Sequence, residues 1–384
     1  MNIVSYLKPR IEYRIARLIE LPLKAAYNQQ HNSSIPEDFD KEIIQLGLTL
    51  RDDTLNQYQD KFKKSNYRFL FQMPQSGVGL FWFQDLAQCL THCGIPTQTI
   101  SITDPDFYQI WESFKPNIFI SMDSSSVLHS LDLEYINQYK KTNGLIRLFT
   151  PINSYRFPKP GLSSEDLWRL AVAHKGNSVD AYFSMMQESF FEHFNAPWHQ
   201  SGFRYLCLPF AANPFIHYPR AVEKNYDYFM ATSFGYQRAL LTYQYTLPLF
   251  KKYHGLWAGT GWRFGVGDIL PQETAVYRSK SKIILNPLPV FNRNYAADLT
   301  ERAFTATACG AFQITNRSPI TNQFFEDDEL VSADSPAEFL NLFEQYLPRK
   351  DERNNIVNKG LMRVFNEHTY FHRIDKLLRF IDTL

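Results

Sequence analysis

The sequence predicts an α/β protein with two parallel sheets. Short apolar runs alternate with amphipathic stretches along most of its 384 residues, a pattern typical of strand–helix–strand units. Residues 296–316 show it most clearly, because a short amphipathic helix runs into Cys309-Gly310 and an apolar strand follows at once. Glycine permits this sharp return from helix to strand. Because the alternation starts twice and the length suits two ordinary domains, we expect two sheets.

The first 64 residues predict two helices ahead of the first sheet. Residues 3–28 place Ile and Leu at helical spacing, with basic residues over the rest of the surface. Such a helix could lie on a membrane surface, but we favour packing against the protein itself, which is the usual role of an apolar stripe. Residues 29–40 are polar and predict a loop, and residues 40–64 predict the second helix.

The first alternation begins at residues 67–73, which predict a buried strand. Small residues at 76–79 follow, and residues 80–93 predict a helix, so strand, glycine loop and helix come in succession. The proline-containing segment 150–165 predicts an irregular loop. The remaining strands of this half are predicted at 97–102, 117–122, 145–149, 180–185 and 204–209.

A second alternation starts after residues 211–226, where prolines interrupt the pattern. Its strands are predicted at 228–232, 254–258, 282–286, 311–315 and 329–332. Its helices are predicted at 236–249, 273–279, 299–308 and 335–347, and two more at 352–366 and 369–383 close the chain.

Composition argues against several classes of protein. A net charge of +1 is unlike that of a protein that binds nucleic acid by neutralising many phosphates. The four cysteines are irregularly spaced and predict reduced, mostly buried thiols. No apolar run is long enough to predict a transmembrane helix, and charges such as Lys8, Arg10 and Glu12 argue against a signal peptide. We therefore expect a cytoplasmic protein.

Ordered blocks across the C-terminal half resemble one enzyme family. They are Glu301-Arg302, Phe304, ACGAF at 308–312 and Thr315, then LCLPFAANP at 206–214, GLWAGTGW at 255–262, YRSKSKIILN at 277–286, FFEDDELV at 324–331 and EHTYFHR at 367–373. With these blocks the chain resembles the CgeB-like (spore-maturation) glycosyltransferases, which carry a C-terminal domain of the group 1 glycosyl transferases. The N-terminal half matches more weakly.

The resemblance implies the GT-B architecture, in which two Rossmann-like domains face each other across a cleft. An extra N-terminal helical segment would cover residues 1–66. The acceptor-side domain would cover residues 67–215, and the nucleotide-sugar domain residues 226–368. Residues 369–384 would form a C-terminal helix that returns to the N-terminal domain.

The resemblance also implies a glycosyltransferase of the hexosyltransferase type. Such an enzyme would move a sugar from a UDP-, GDP- or dTDP-sugar to an acceptor, with no further cofactor and without a metal ion. Two alternatives stay open. One is a catalytically inactive nucleotide-sugar-binding or interaction protein on a GT-B scaffold, and the other is a GT-B epimerase.

Loops after the first two strands of the second alternation hold candidate donor contacts. Ser233 and Gly235 follow one strand, and Arg238 lies in the first turn of the next helix. Amides, hydroxyls and cations are the groups that hold a diphosphate, and the resemblance favours that role over an ordinary turn. Gly259-Thr260-Gly261 follow the second strand and resemble a nucleotide-side loop, although a tight turn would explain them equally.

Asn286 ends a predicted strand, and its amide could bind sugar or nucleotide, although Asn-Pro is also a common turn. The basic residues Arg278, Lys280 and Lys282 precede that strand. They could contact a base or phosphate, or form a solvated helix end.

Helix 299–308 supplies the remaining donor candidates, Glu301, Arg302 and Thr305. The family's ribose-binding Glu falls at the position of Thr305, so the chain departs from the family pattern there. Glu301 lies one turn earlier on the same face and could substitute, since a carboxylate offers two acceptor oxygens to a diol. Asp298 and Glu301 also have capping-box spacing, so the ligand role and the capping role both stay open. Arg302 is expected to bind the donor or to pair with an acid.

The N-terminal half offers fewer candidates. Asp123 follows the strand at 117–122 and is the candidate base if the chemistry is inverting. Gly77 and Gly79 could contact the acceptor or the sugar. Two thiols and one histidine on the helix at 80–93 lack a fourth ligand, so the sequence predicts no metal site.

Overall fold

A computed structural model describes residues 3–31, 33–74, 77–101, 104, 106–122, 131–150, 171, 179–193, 199, 202–288 and 298–384. The chain divides into two compact units. The first-sheet unit comprises Leu55–Phe210 and Thr369–Leu384, and the second-sheet unit comprises Met1–Thr54 and Ala211–His368. The sequence-predicted segment 1–66 is therefore shared between the two units, and residues 369–384 belong with the first sheet.

Helices flank both sheets. In chain order the described helices are α1 (Ile3–Asn28), α2 (Lys41–Tyr58), α3 (Val78–His92), α4 (Phe107–Phe114), α5 (Leu133–Asn143), α6 (Glu188–His193), α7 (Tyr236–Tyr245), α8 (Leu247–Phe250), α9 (Pro271–Ser279), α10 (Glu301–Ala308), α11 (Pro336–Tyr346), α12 (Lys350–Glu367) and α13 (Tyr370–Ile381).

The described strands all run parallel within their sheets. In the first-sheet unit they are β1 (Phe69–Met73), β2 (Thr97–Ser101), β3 (Ile118–Met122), β4 (Ile146–Thr150), β5 (Ala181–Ser184) and β6 (Arg204–Cys207), in the order β2-β1-β3-β4-β5-β6. In the second-sheet unit they are β7 (Tyr226–Ala231), β8 (Gly255–Ala258), β9 (Ser281–Asn286), β10 (Phe312–Asn316) and β11 (Val331–Ala333), in the order β11-β10-β9-β7-β8. The predicted α/β class with two parallel sheets is confirmed.

Two predicted helices differ from the structure. The helix predicted at 40–64 ends at Tyr58, and Asp60 just beyond it has a positive φ of 55° that does not continue a right-handed helix. The helix predicted at 236–249 is two helices, because the chain leaves helical geometry at Thr246 and resumes with Pro248 in the first turn of α8.

The joint between α10 and β10 matches the prediction for Gly310. Its φ of +68° is in the left-handed region, and a Cβ there would lie 3.0 Å from Pro219 and 3.1 Å from Ile43. The capping box that the spacing of Asp298 and Glu301 left open would place the N-cap at Asp298. In the structure Thr300 is the N-cap, Glu301 is the first helical residue, and the Thr300 side chain makes no capping hydrogen bond. Glu301 is therefore not at the third helical position that a capping box requires.

Helix α1 packs on α7 and α8 within the second-sheet unit. Ala16, Leu23 and Ala26 are almost fully buried, which confirms the prediction that one face packs against the protein. The segment just after the C-terminal end of α1 is held at the edge strand β8. There the Gln30 side-chain amide donates to the Gly255 carbonyl and accepts from the Gly255 N–H, both at 3.1 Å. Among the described helices, none is long and apolar enough to cross a membrane.

Candidate functional site

The carboxyl ends of β7, β8 and β9 lie at one edge of the second sheet, because these strands are parallel neighbours. Two loops extend from that edge: the β7 loop (residues 232–235), which leads into α7, and the β8 loop (residues 259–262). The helices α7 and α10 both begin near this edge with main-chain N–H groups that have no partner within the helix. This is the edge at which open α/β sheets bind ligands.

The β7 and β8 loops are bonded to each other. Phe234 N–H donates to the Thr260 carbonyl at 2.8 Å, and the Trp262 indole donates to the Thr232 carbonyl at 2.7 Å. Gly259 has φ +137°, and a Cβ there would lie 1.9 Å from the Thr232 oxygen. Glycine is therefore required at 259 so that the two loops can approach.

Gly235 differs from Gly259, because neither crowding nor dihedral angle requires a glycine there. Its φ of 175° is extended backbone that any residue adopts, and a Cβ would meet nothing within 4 Å. Gly235 is the N-cap of α7. The open space beside this helix start is where a bound group could approach the main chain closely.

Arg238 and Ser233 form a polar pair beside that space. The Arg238 guanidinium donates a hydrogen bond to the Ser233 hydroxyl. Part of the Arg238 side chain is exposed, yet surrounding protein lowers the pKa of its guanidinium, and the Glu301 carboxylate opposes that shift. The pair offers a cation and a hydroxyl at the start of α7.

Arg302 connects the ends of two strands. Its Nε donates to Asn286 Oδ1 and its Nη1 to the Ala231 carbonyl, both at 2.9 Å. Asn286 is fully buried, and its Nδ2 donates to Gln313 at 3.2 Å. Because the Asn286 amide is engaged on both sides, its observed role is to orient Arg302.

Electrostatics connects Arg302 to Arg238 and Glu301. Burial, together with the cations of Arg238 and Arg278, lowers the pKa of the Arg302 guanidinium to about 10, and the Glu301 carboxylate opposes that shift. Two close guanidinium groups with one carboxylate leave a net positive site, which suits an anion. Thr305 contributes differently, since it is buried and its hydroxyl donates to the Glu301 carbonyl at 3.0 Å within α10.

Helix α1 supports both loops, which the sequence analysis missed. Arg17 Nη1 donates to the Gly261 carbonyl at 3.0 Å, and its guanidinium carbon lies 3.9 Å from the centre of the Phe234 ring. Glu20 pairs with Arg17 at 2.6 Å and accepts the Arg263 N–H at 2.6 Å. The available signal was Glu20 itself, a carboxylate within the buried face formed by Ala16 and Leu23.

Other predicted residues lie elsewhere. Lys282 forms a buried ion pair with Asp227 at 2.9 Å. Both residues are near the amino ends of β9 and β7, so the hypothesis of a phosphate contact for Lys282 is wrong. Gly77, with φ +86°, is the N-cap of α3 in the first-sheet unit. A Cβ on Gly79 would lie 2.9 Å from Met122 Cε. Asp123 lies outside the described residues.

In the part of the chain that the structure describes, no three His, Cys, Asp or Glu side chains lie close enough together to hold a metal ion.

Comparison with known proteins adds evidence on fold and family. Residues 245–379 match a sequence family described as glycosyl transferase-like. No curated protein sequence matches the chain.

Solved structures resemble most of the chain. Sucrose-phosphate synthase from Thermosynechococcus elongatus is similar at 13% identity, over 85% of this chain and 98% of that one, with a TM-score of 0.56. HepE from Anabaena in complex with UDP and glucose is similar at 9% identity, over 83% and 100%, with a TM-score of 0.53. BGT of phage T4 in complex with UDP-glucose is similar at 12% identity, over 82% and 98%, with a TM-score of 0.54. With the two parallel sheets, these likenesses confirm the GT-B fold.

Proposed function

We propose that this protein is a glycosyltransferase that moves a sugar from a nucleoside-diphosphate sugar to an acceptor. The observation that carries the proposal is the pair Arg238 and Arg302 with Glu301 at the carboxyl edge of the second sheet. The match of residues 245–379 to a glycosyl transferase-like family supports it.

The diphosphate would lie at the start of α7. Arg238, the Ser233 hydroxyl and main-chain N–H groups beside Gly235 would hold it, and Arg302 would add positive charge. These groups stabilise the negative charge that grows on the diphosphate as the sugar leaves. Because two guanidinium groups can supply that charge, we propose that the reaction needs no metal ion.

Glu301 would accept hydrogen bonds from the ribose hydroxyls. It opens α10 beside both arginines, and no capping interaction by its side chain competes for the role. Thr305 would contribute through its contact with the Glu301 carbonyl, because its hydroxyl is buried.

We propose, more narrowly, that the protein is a CgeB-like hexosyltransferase and that it acts in the cytoplasm. UDP-glucose is the first donor to test, because HepE and BGT were solved with UDP, glucose or UDP-glucose. Should the reaction invert the anomeric centre, Asp123 is the proposed base.

The test is calorimetric titration with UDP-, GDP- and dTDP-sugars, followed by assays for slow donor hydrolysis. We expect one nucleotide class to bind and its sugar to be released. Binding without release would favour a nucleotide-sugar-binding protein, an alternative that Thr305 motivates because it stands where the family has Glu. A changed sugar on intact nucleotide would indicate an epimerase, and absence of binding would contradict the proposal.

A further inference from the structure

Helix α1 has an exposed apolar face opposite its buried one. Ile11, Ile15, Leu18 and Leu21 are 52%, 38%, 66% and 57% exposed. At 100° per residue these four side chains fall within about 120° of the helix circumference. The opposite face, which includes Ala16 and Leu23, packs on the protein, so the described core does not account for these four aliphatic side chains.

Basic residues lie beside and within this apolar face. Arg10, Arg14 and Lys24 are exposed; at helical spacing Arg10 and Lys24 lie just outside the Leu21 edge of the face, and Arg14 lies between Leu21 and Leu18. Helix α1 carries five basic and two acidic residues, a net charge of +3, whereas the whole chain carries only +1. The rest of the chain is therefore net negative, and three of the five basic residues of α1 lie at the exposed apolar face.

We propose that α1 docks the protein on an anionic lipid surface. An amphipathic helix with aliphatic side chains on one face and Arg or Lys beside them is the chemistry that binds at the headgroup boundary of a bilayer. Juxtaposed basic residues are attracted by anionic lipids. The proposal rests on α1 alone and does not depend on transferase activity.

The charge pattern favours a membrane over a second copy of this chain. A twofold dimer would place the same face of α1 against itself. In an antiparallel pair, Arg10, Arg14 and Lys24 of one copy would face the like charges of the other. Repulsion between them opposes that contact, whereas an anionic surface compensates the same charges.

Docking of α1 on a membrane would also position the loops of the candidate site. Arg17, on the same helix, contacts Gly261 and Phe234 of the two loops. A membrane-bound α1 would therefore hold these loops at a fixed distance from the lipid surface.

The experiment is co-sedimentation of the full chain with neutral phosphatidylcholine vesicles and with vesicles that contain about 30 mol% phosphatidylglycerol. We expect at least tenfold stronger binding to the anionic vesicles and release at about 0.5 M NaCl, where charges are screened. Leu18→Gln should weaken binding about tenfold because one leucine no longer inserts. The combined change of Arg10, Arg14 and Lys24 to Gln should remove the preference for anionic lipid.

Leu270→Gln is the matched control, since Leu270 is 62% exposed on the same unit but away from α1 in sequence. It should leave vesicle binding unchanged. Equal loss in Leu270→Gln, or no binding to either vesicle, would overturn the proposal. So would a dimer seen by analytical ultracentrifugation that Leu18→Gln dissociates, since the face would then join two copies. Unfolding of Leu18→Gln would also overturn it, by showing that the face is needed for folding.

Discussion

Replacement of Arg17 by Ala tests whether α1 holds the two loops of the candidate site. The substitution removes the hydrogen bond to the Gly261 carbonyl, the contact over the Phe234 ring and the ion pair with Glu20. The Glu20 side chain is only 2% exposed, so its carboxylate would be left buried without its cation. The Arg263 N–H would remain as its partner.

The expected effect follows from these contacts. A hydrogen bond from a charged donor contributes about 1.5–3 kcal/mol, and an exposed cation–π contact about 0.5–1 kcal/mol. Breaking a buried pair costs about 3–5 kcal/mol. Because these terms overlap and Glu20 keeps one partner, we expect the local opening free energy of the loops to fall by about 3 kcal/mol.

Hydrogen exchange of peptides that cover residues 232–235 and 259–263 is the assay. A loss of about 3 kcal/mol corresponds to roughly a hundredfold faster exchange at the Phe234 and Arg263 amides. Arg14→Ala, an exposed change on the same helix, should leave exchange within about threefold of the parent. Adding Glu20→Gln to Arg17→Ala should recover part of the loss, because the buried charge is gone. Unchanged loop exchange in Arg17→Ala would refute the reasoning.

Four further substitutions have separate outcomes. Gly259→Ala should destabilise the protein by about 2–5 kcal/mol in urea unfolding, because its Cβ would lie 1.9 Å from the Thr232 oxygen. Gly235→Ala should leave the free energy of unfolding unchanged but weaken nucleotide binding. Equal losses of stability in the two variants would contradict both roles. Burial and the nearby Arg278 and Arg220 hold the pKa of His217 well below its ordinary 6.5. Only the unfolded chain then binds a proton at His217 as pH falls below about 6.5, so the free energy of unfolding should decline by up to about 1.4 kcal/mol per pH unit. His217→Asn should flatten that decline, and an unchanged slope would contradict the role of His217. Glu301→Gln should weaken nucleotide binding with a near-normal melting temperature, and unchanged affinity would remove the ribose assignment.

The fold was predictable because buried parallel strands have continuous apolar sequences. The apolar run at 283–285 is buried at every position of β9, and Gly310 marks the return into β10. Helix ends were less predictable from the apolar pattern, which continues through the break at Thr246; the available signal was Pro248, which lies in the first turn of α8.

The candidate site was only partly predictable. Arg238 and Arg302 could be found from their position after strands and in the family-like blocks. The support by Arg17 could not, because that contact joins residues separated by 244 positions. The buried ion pair of Lys282 could not be predicted for the same reason, since its partner Asp227 lies 55 positions away.

The most direct test of the central claim is the affinity of Arg238→Ala for UDP, measured by calorimetry. A charged hydrogen bond of about 1.5–3 kcal/mol corresponds to roughly 10- to 150-fold weaker binding. Arg349→Ala is the control, because Arg349 is half exposed and pairs only with Glu352 among the ion pairs of the described residues. The account predicts that Arg238→Ala loses UDP affinity while Arg349→Ala retains it. Equal affinity of both variants and the parent would contradict a diphosphate site at the start of α7.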